Sequence, residues 1–233
     1  PEAPDSRATL PAERFRFDGD RRNYVVARGC LRTILSLYLG QAPEKIKFTY
    51  GEHGQPGLAN STAQLKFNVA QSGALALYAF TLIGEVGVDL EFIRPIAVDE
   101  VARRFFSPDE VARLEQFYGL WRQEAFYRCW TRKEAFVKAK QVGLSLALDQ
   151  FDVTLDSEPA ALLRTRWDES EAARWDLNDL DVGRDYAAAM AIEAHGCKLS
   201  SWRLDEIVGS RNTEPGEEIR TSSEPPRSCT PQA

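Results

Sequence analysis

Two carboxylates spaced two residues apart are the first feature able to do chemistry. In Gly87-Val88-Asp89-Leu90-Glu91, a strand puts Asp89 and Glu91 on one face and Val88 and Leu90 on the other. Carboxylates packed that closely repel, and each resists ionising. A divalent cation resolves the conflict, and magnesium prefers one or two carboxylates completed by substrate phosphates and water. A solvent-facing strand bearing two acids shows the same pattern. The second constellation is Trp130-Thr131-Arg132-Lys133-Glu134-Ala135-Phe136-Val137-Lys138. On a helix, Trp130, Glu134 and Lys138 share one ridge, four residues apart. Glu134 and Lys138 could equally be a surface pair worth a few tenths of a kcal/mol. Arg128, Arg132, Lys133, Lys138 and Lys140 crowd the same stretch. Part of that density is ordinary solvated face, with Glu124 paired to Arg128, and the remainder suits phosphate oxygens.

Three further groups are weaker. Glu110 completes a capping box with Ser107, which accounts for it fully, although it could also lie beside a metal ligand. The turn His53-Gly54-Gln55-Pro56 has glycine that lets backbone approach a ligand, or is a plain surface turn. Arg22, Arg28 and Arg32 lie on an amphipathic helix, where arginines are ordinarily solvated.

These residues need elements to position them. Apolar spacing predicts a helix from Asp20 to Leu39, stopped at Gly40. Short strands are expected at Ile46–Tyr50 and Leu65–Val69, with turn chemistry throughout Gly51–Gly57. Ala74–Leu82 reads as a buried strand that turns at Gly84-Glu85 into the acidic strand, the two forming a hairpin. Val98–Phe106 reads as a helix, and Ser107-Pro108-Asp109-Glu110 starts another. Leu120–Val142 is a long helix ending at Gly143. Phe151–Leu155, Ala187–Ala194 and Cys197–Leu204 read as strands.

Mixed strands and helices with short links favour an α+β fold. The expected division is a loose arm over residues 1–13, an N-terminal half over 14–85, a C-terminal half with the metal site over 86–208, and a tail over 209–233. That tail is rich in Pro, Ser, Thr and Glu, with Ile219 as its large aliphatic residue, and reads as disordered.

Composition narrows the function classes. A chain of 233 residues can bury a core. A net charge of −6 argues against general nucleic-acid binding. Cys30, Cys129, Cys197 and Cys229 have no metal-ligand spacing and fit thiols in a reducing cytoplasm. No apolar run approaches the roughly 20 residues that span a bilayer. No secretory signal is visible in a sequence that starts at Pro1 rather than Met.

Taken together, the two motifs resemble the 4′-phosphopantetheinyl transferases. Gly87–Glu91 matches that family's GVD-(I/L)-E signature, and Trp130–Lys138 its W-(S/T)-x-K-E-(A/S)-x-x-K signature. Phe105–Glu110 between them and Gly143-Leu144-Ser145-Leu146 after them also fit. The likeness runs from about Phe15 to Asp205 and is to the larger, monomeric type, which implies a pseudo-two-fold pair of similar α+β halves, each with a small antiparallel sheet and a long helix. It implies that a serine of an apo acyl, peptidyl or aryl carrier protein attacks the β-phosphate of coenzyme A, releasing adenosine 3′,5′-bisphosphate. It implies Asp89, Glu91 and Glu134 as ligands of Mg²⁺, or Mn²⁺, and Glu134 also as the base. Lys138 would meet the phosphate and assist the leaving group, with Lys133 supporting the same site. Arg22 or Arg28 would hold the 3′-phosphate, and His53, Gly54 and Gln55 would border the adenine. Ile93, Pro95, Ile96 and Val98 could dock the carrier or be core.

One departure stands out. The family reads F-N-(I/V/L)-S-H-S where this chain reads Phe67-Asn68-Val69-Ala70-Gln71-Ser72. The family's histidine meets the 3′-phosphate, so Gln71 and Ser72 inherit that place, and Gln55 stands where many members have lysine. The change motivates a second reading, a non-catalytic member that binds a carrier or nucleotide, against which the intact acidic triad argues. A metal-dependent phosphohydrolase has no motif of its own in this chain. Gln71 cannot carry charge, and charge-assisted hydrogen bonds are about twice as strong as neutral ones. Gln71→His is therefore expected to tighten coenzyme A binding severalfold below about pH 6.5, where histidine is protonated. Titration calorimetry giving an unchanged affinity would sink that expectation.

Overall fold

The computed structural model describes residues 18–52, 54–59, 64–156 and 159–204. The expected arm, the expected tail and His53 lie outside them. The chain divides into two compact units: residues 1–47 with 199–227, and residues 48–198 with 228–233.

In the first unit, helix α1 (Asp18–Leu39) buries Ala27, Leu31, Ile34 and Leu35 at three- and four-residue spacing. Gly40 takes a left-handed φ of 62° and ends it, as the sequence predicts. Arg32 donates past that end to Pro43 O at 3.1 Å and to Ile46 O, tying down the 3₁₀ turn Pro43–Lys45. The strand expected at 197–204 does not form. Leu199 and Trp202 are exposed, so that stretch has no apolar face to pair.

The second unit is α+β, with four small antiparallel sheets among its described residues. Strands β1 (Phe48–Tyr50) and β2 (Pro56–Leu58) form a hairpin. Pro56-Gly57 conceals β2 in the sequence, since both residues are depleted from strands. Strands β3 (Lys66–Ser72) and β4 (Leu75–Thr81) pair across a two-residue turn in which Gly73 has φ 56°. The acidic strand β5 (Val86–Phe92) therefore does not pair with β4, contrary to the sequence expectation. It pairs instead with β9 (Tyr186–Ile192), which also pairs with β8 (Asp176–Asp179). Gly84 makes the change of partner: a Cβ there would lie 2.2 Å from Glu193 O, and Glu193 N donates to Glu85 O at 2.9 Å. The expected boundary between halves, at residue 85, falls inside this unit.

Helix α2 (Val98–Phe105) is followed by α3 (Pro108–Leu114), whose capping box forms with Glu110 N on Ser107 Oγ at 3.2 Å and Ser107 N on Glu110 Oε2 at 3.0 Å. The long helix α4 (Gly119–Lys140) ends on Gln141 in the left-handed region, two residues before the glycine expected to stop it. Strands β6 (Phe151–Val153) and β7 (Leu162–Thr165) form the remaining pair. The larger core gathers α4 with Phe106, Phe151, Val153, Trp175, Leu177, Ala189 and Ala191. Among the described residues no helix is long and apolar enough to cross a membrane.

Glu171 braces the end of α4. Its buried carboxylate accepts from Lys140 Nζ and Trp175 Nε1, both at 2.9 Å, and from Arg174 at 2.7 Å. Burial opposes the charge, but the hydrogen bonds from Lys140, Trp175 and Arg174 overcome it and lower the pKa from 4.5 to about 2. A depressed carboxylate stabilises the fold above its unfolded pKa, and that contribution disappears as pH falls toward the folded value. At 1.36 kcal/mol per pH unit it amounts to about 3 kcal/mol at neutral pH. Glu171→Gln is expected to lower stability at pH 7 and to flatten its fall between about pH 4.5 and 2, measured by urea unfolding across pH.

Candidate active site

Alternation along β5 separates core from chemistry. Val86, Val88 and Leu90 enter the smaller core with Ala70, Ala79, Ala188, Met190 and Ile192. Gly87, Asp89 and Glu91 share the other face, opposite Ala191, Ala189 and Ala187 of β9. Ala189 and Ala191 pack into the core of α4, so this face lies against that helix. Gly87 sets the distance: a Cβ there would sit 2.1 Å from Ala135 O and 2.3 Å from Ala139 N. Only glycine lets the strand come so close to the helix backbone. Glu134 and Lys138 precede those two alanines by one residue each, one helical turn apart, and so face the acidic pair.

Lys138 Nζ lies 2.6 Å from Asp89 Oδ1 and 3.3 Å from Val88 O. Asp89 is 5% exposed, and its Oδ2 is buried with no hydrogen-bond partner. Ser72 Oγ lies 3.3 Å from Glu91 Oε2. Burial raises the Glu91 carboxyl above its ordinary range and the Asp89 charge adds to this, against Ser72, Lys138 and Arg94. Burial also raises Glu134, again reinforced by Asp89 and then by Glu91, against Lys138. The three carboxylates thus share one electrostatic environment. Among the described residues no three acidic, histidine or cysteine side chains converge as a ready metal cage; one Asp89 oxygen is turned to Lys138 instead. An orphaned buried oxygen beside two carboxyls that resist ionising still fits a divalent cation.

The family description "4′-phosphopantetheinyl transferase superfamily" matches residues 85–191, and "4′-phosphopantetheinyl transferase, N-terminal" matches residues 6–82. The chain is 36% identical over 194 residues to the 4′-phosphopantetheinyl transferase HetI of Nostoc sp., covering 82% of this chain and 79% of that one. The chain belongs to the 4′-phosphopantetheinyl transferase superfamily. It is also 31% identical over 145 residues to the transferase Sfp of Bacillus subtilis, covering 62% and 63% of the two chains. The Thermotoga maritima holo-[acyl-carrier-protein] synthase aligns over 49% of this chain and 66% of its own at a TM-score of 0.41 and 18% identity, too low to add to the assignment.

Apart from Lys138, the basic residues singled out on α4 are placed differently from the sequence expectation. In this transferase they brace the fold. Arg132 is fully buried, forks onto Asp179 at 2.8 and 2.6 Å, and meets Thr154 Oγ1 at 2.9 Å. Arg128 donates to Leu155 O at 2.9 Å, and Lys140 pairs with Glu171. Lys133 is corrected most firmly. It is fully buried, pairs with Glu110 Oε2 at 2.8 Å, and donates to Leu148 O and Phe151 O. An ammonium has three N–H donors, so none remains for a phosphate. Glu110 likewise spends its oxygens on Ser107 N, Lys133 and Val153 N, which makes it structural.

The other expected donor-binding residues are spread over both units. Arg22, exposed, and Arg28, whose guanidinium carbon lies 6.0 Å from the Tyr24 ring centroid, are on α1 of the first unit. In the second unit Gly54 has φ 79°, and Gln55 Nε2 donates to Gln141 O at 3.0 Å while its Oε1 is buried and unpartnered. Gln71 is exposed, on the face of β3 opposite Ser72. Ile93, Ile96 and Val98 pack against the larger core. Asn68 enters the sequence reading only as part of the F-N match, with no role of its own; its Oδ1 accepts from Val88 N at 3.1 Å. An asparagine inside a strand, where that residue is depleted, was a further signal.

Removing one partner of a buried ion pair leaves an uncompensated charge and destabilises by about 3–5 kcal/mol. Lys133→Met is expected to lower unfolding stability by about that much, read by guanidinium titration, while coenzyme A affinity of the folded fraction changes little.

Proposed function

We propose that this transferase moves the 4′-phosphopantetheine arm of coenzyme A to a serine of an apo carrier protein, with Asp89, Glu91 and Glu134 holding Mg²⁺ or Mn²⁺. The reading is supported chiefly by the unpartnered buried Asp89 oxygen beside two carboxyls that burial and Asp89 hold above their usual range. A divalent cation bound there supplies a clamp on the pyrophosphate and offsets charge that builds in the transition state.

The serine oxygen attacks the β-phosphorus, and the bond from that phosphorus to the oxygen bridging to the α-phosphate breaks. Adenosine 3′,5′-bisphosphate leaves with the bridging oxygen. Glu134 takes the serine proton, directly or through water; a carboxyl raised toward neutrality is a better base than an ordinary one. Lys138, part-exposed beside Asp89, supplies an ammonium for the phosphate oxygens. Gln71 and Ser72 and the turn from His53 to Gln55 are the residues of the second unit we assign to the donor's 3′-phosphate and adenine. A monomer in the cytoplasm, with Cys30 and Cys129 as free thiols, is the setting we infer.

The test mixes the protein with magnesium, coenzyme A and an apo carrier protein and weighs the carrier by mass spectrometry. A gain of one phosphopantetheine unit is expected, and Asp89→Ala should slow it by at least about 100-fold. No gain on several carriers with coenzyme A still bound would make the chain a binding module.

A further inference from the structure

Strand β5 carries the acidic pair, and its two edges are held differently. On one side β9 supplies a full antiparallel register from Val86 to Phe92. On the other side lies β3, which pairs in its own sheet with β4. Two β3 side chains bridge that gap. Asn68 Oδ1 accepts from Val88 N at 3.1 Å, and Ser72 Oγ accepts from Phe92 N at 2.9 Å. The two acceptors are four residues apart on one face of β3, and the two N–H groups are four apart on β5. Between the acceptors sits Ala70, 4% exposed in the smaller core, and between the N–H groups sit Asp89 and Glu91. The hairpin tip is held as well: Ala74 N donates to Tyr186 Oη at 3.4 Å, and Tyr186 meets Phe92 edge to face at 5.2 Å.

We propose that Asn68 and Ser72 are positioning residues that lock the backbone on both sides of Asp89 and Glu91, and that Ser72 also aims the Glu91 carboxylate at the cation. The direction of the serine hydroxyl follows from its partners. Phe92 N–H occupies an oxygen lone pair, so the O–H is free to donate, and Glu91 Oε2 at 3.3 Å is the acceptor it reaches. Ser72, one of the residues assigned to the donor's phosphate, thus has a second task on the metal ligand. Partners that orient a ligating carboxylate change metal affinity by about 10- to 100-fold when removed. The inference rests on the proposed cation reading.

Mn²⁺ binding to the whole chain without coenzyme A, followed by electron paramagnetic resonance, tests it in four proteins: the parent, Asp89→Asn, Ser72→Ala and Ser72→Thr. The expected result is loss of binding in Asp89→Asn, about 10-fold weaker binding in Ser72→Ala, and near-parent binding in Ser72→Thr, which keeps the hydroxyl. Loss in Asp89→Asn with parent-like binding in Ser72→Ala overturns the positioning role and leaves the cation reading standing. Parent-like binding in Asp89→Asn overturns the cation reading itself, and this inference with it. Asn68→Leu against Asn68→Asp repeats the comparison at the other bridge: Asp keeps the acceptor for Val88 N and should bind more tightly than Leu, and equal binding by the two overturns its role.

Discussion

The close approach of β5 to α4 at Gly87 is the constraint on which the rest of the site depends. With no side chain at 87, the strand lies almost in contact with the helix backbone at Ala135 and Ala139. Glu134 and Lys138 precede those contact points by one residue, so the same packing that closes the core carries them to Asp89 and Glu91. Alanines at 189 and 191 of β9 extend the small-residue surface on which α4 rests. The proposed site is thus carried on a strand and a helix rather than on loops, which suits a precise geometry.

That packing brings like charges together and has to be offset. One α4 cation, Lys138, is directed to Asp89. The others go to structural partners: Arg122 to Asp99, Arg128 to Leu155 O, Arg132 to Asp179, Lys133 to Glu110 and Lys140 to Glu171. The helix therefore carries two kinds of basic residue that look alike in sequence. Those held by structural carboxylate or carbonyl partners fix α4 against its surroundings. Lys138, part-exposed beside a buried carboxylate that keeps one oxygen unpartnered, remains in the reacting region.

The Ala70-Gln71 departure takes a milder form in three dimensions. Ala70 fills a core position between β3 and β5, where a hydroxyl would need a buried partner. Gln71 points away from that core and is exposed. The side chains on either side, Asn68 and Ser72, keep their hold on the acidic strand. The change therefore leaves both bridges to β5 intact and, at Gln71, alters an exposed position.

Much of the fold was legible because its signals are local. The capping box at Ser107, the stop at Gly40 and the alternation around Asp89 depend on neighbours within a few residues, and each appears where the spacing puts it. The motifs and their period were also enough to single out Asp89, Glu91, Glu134 and Lys138, which the structure places near one another. What the sequence could not decide was pairing across distance. The Gly73 turn closes β3 on β4, so β5 took β9, nearly a hundred residues away, as its partner. No local pattern records that choice, because one strand face fits several partners until the chain is packed. For the same reason Lys133 and Lys138, five residues apart on one helix, read alike in sequence. Burial alone separated them, placing one in the core with every donor used and the other beside Asp89.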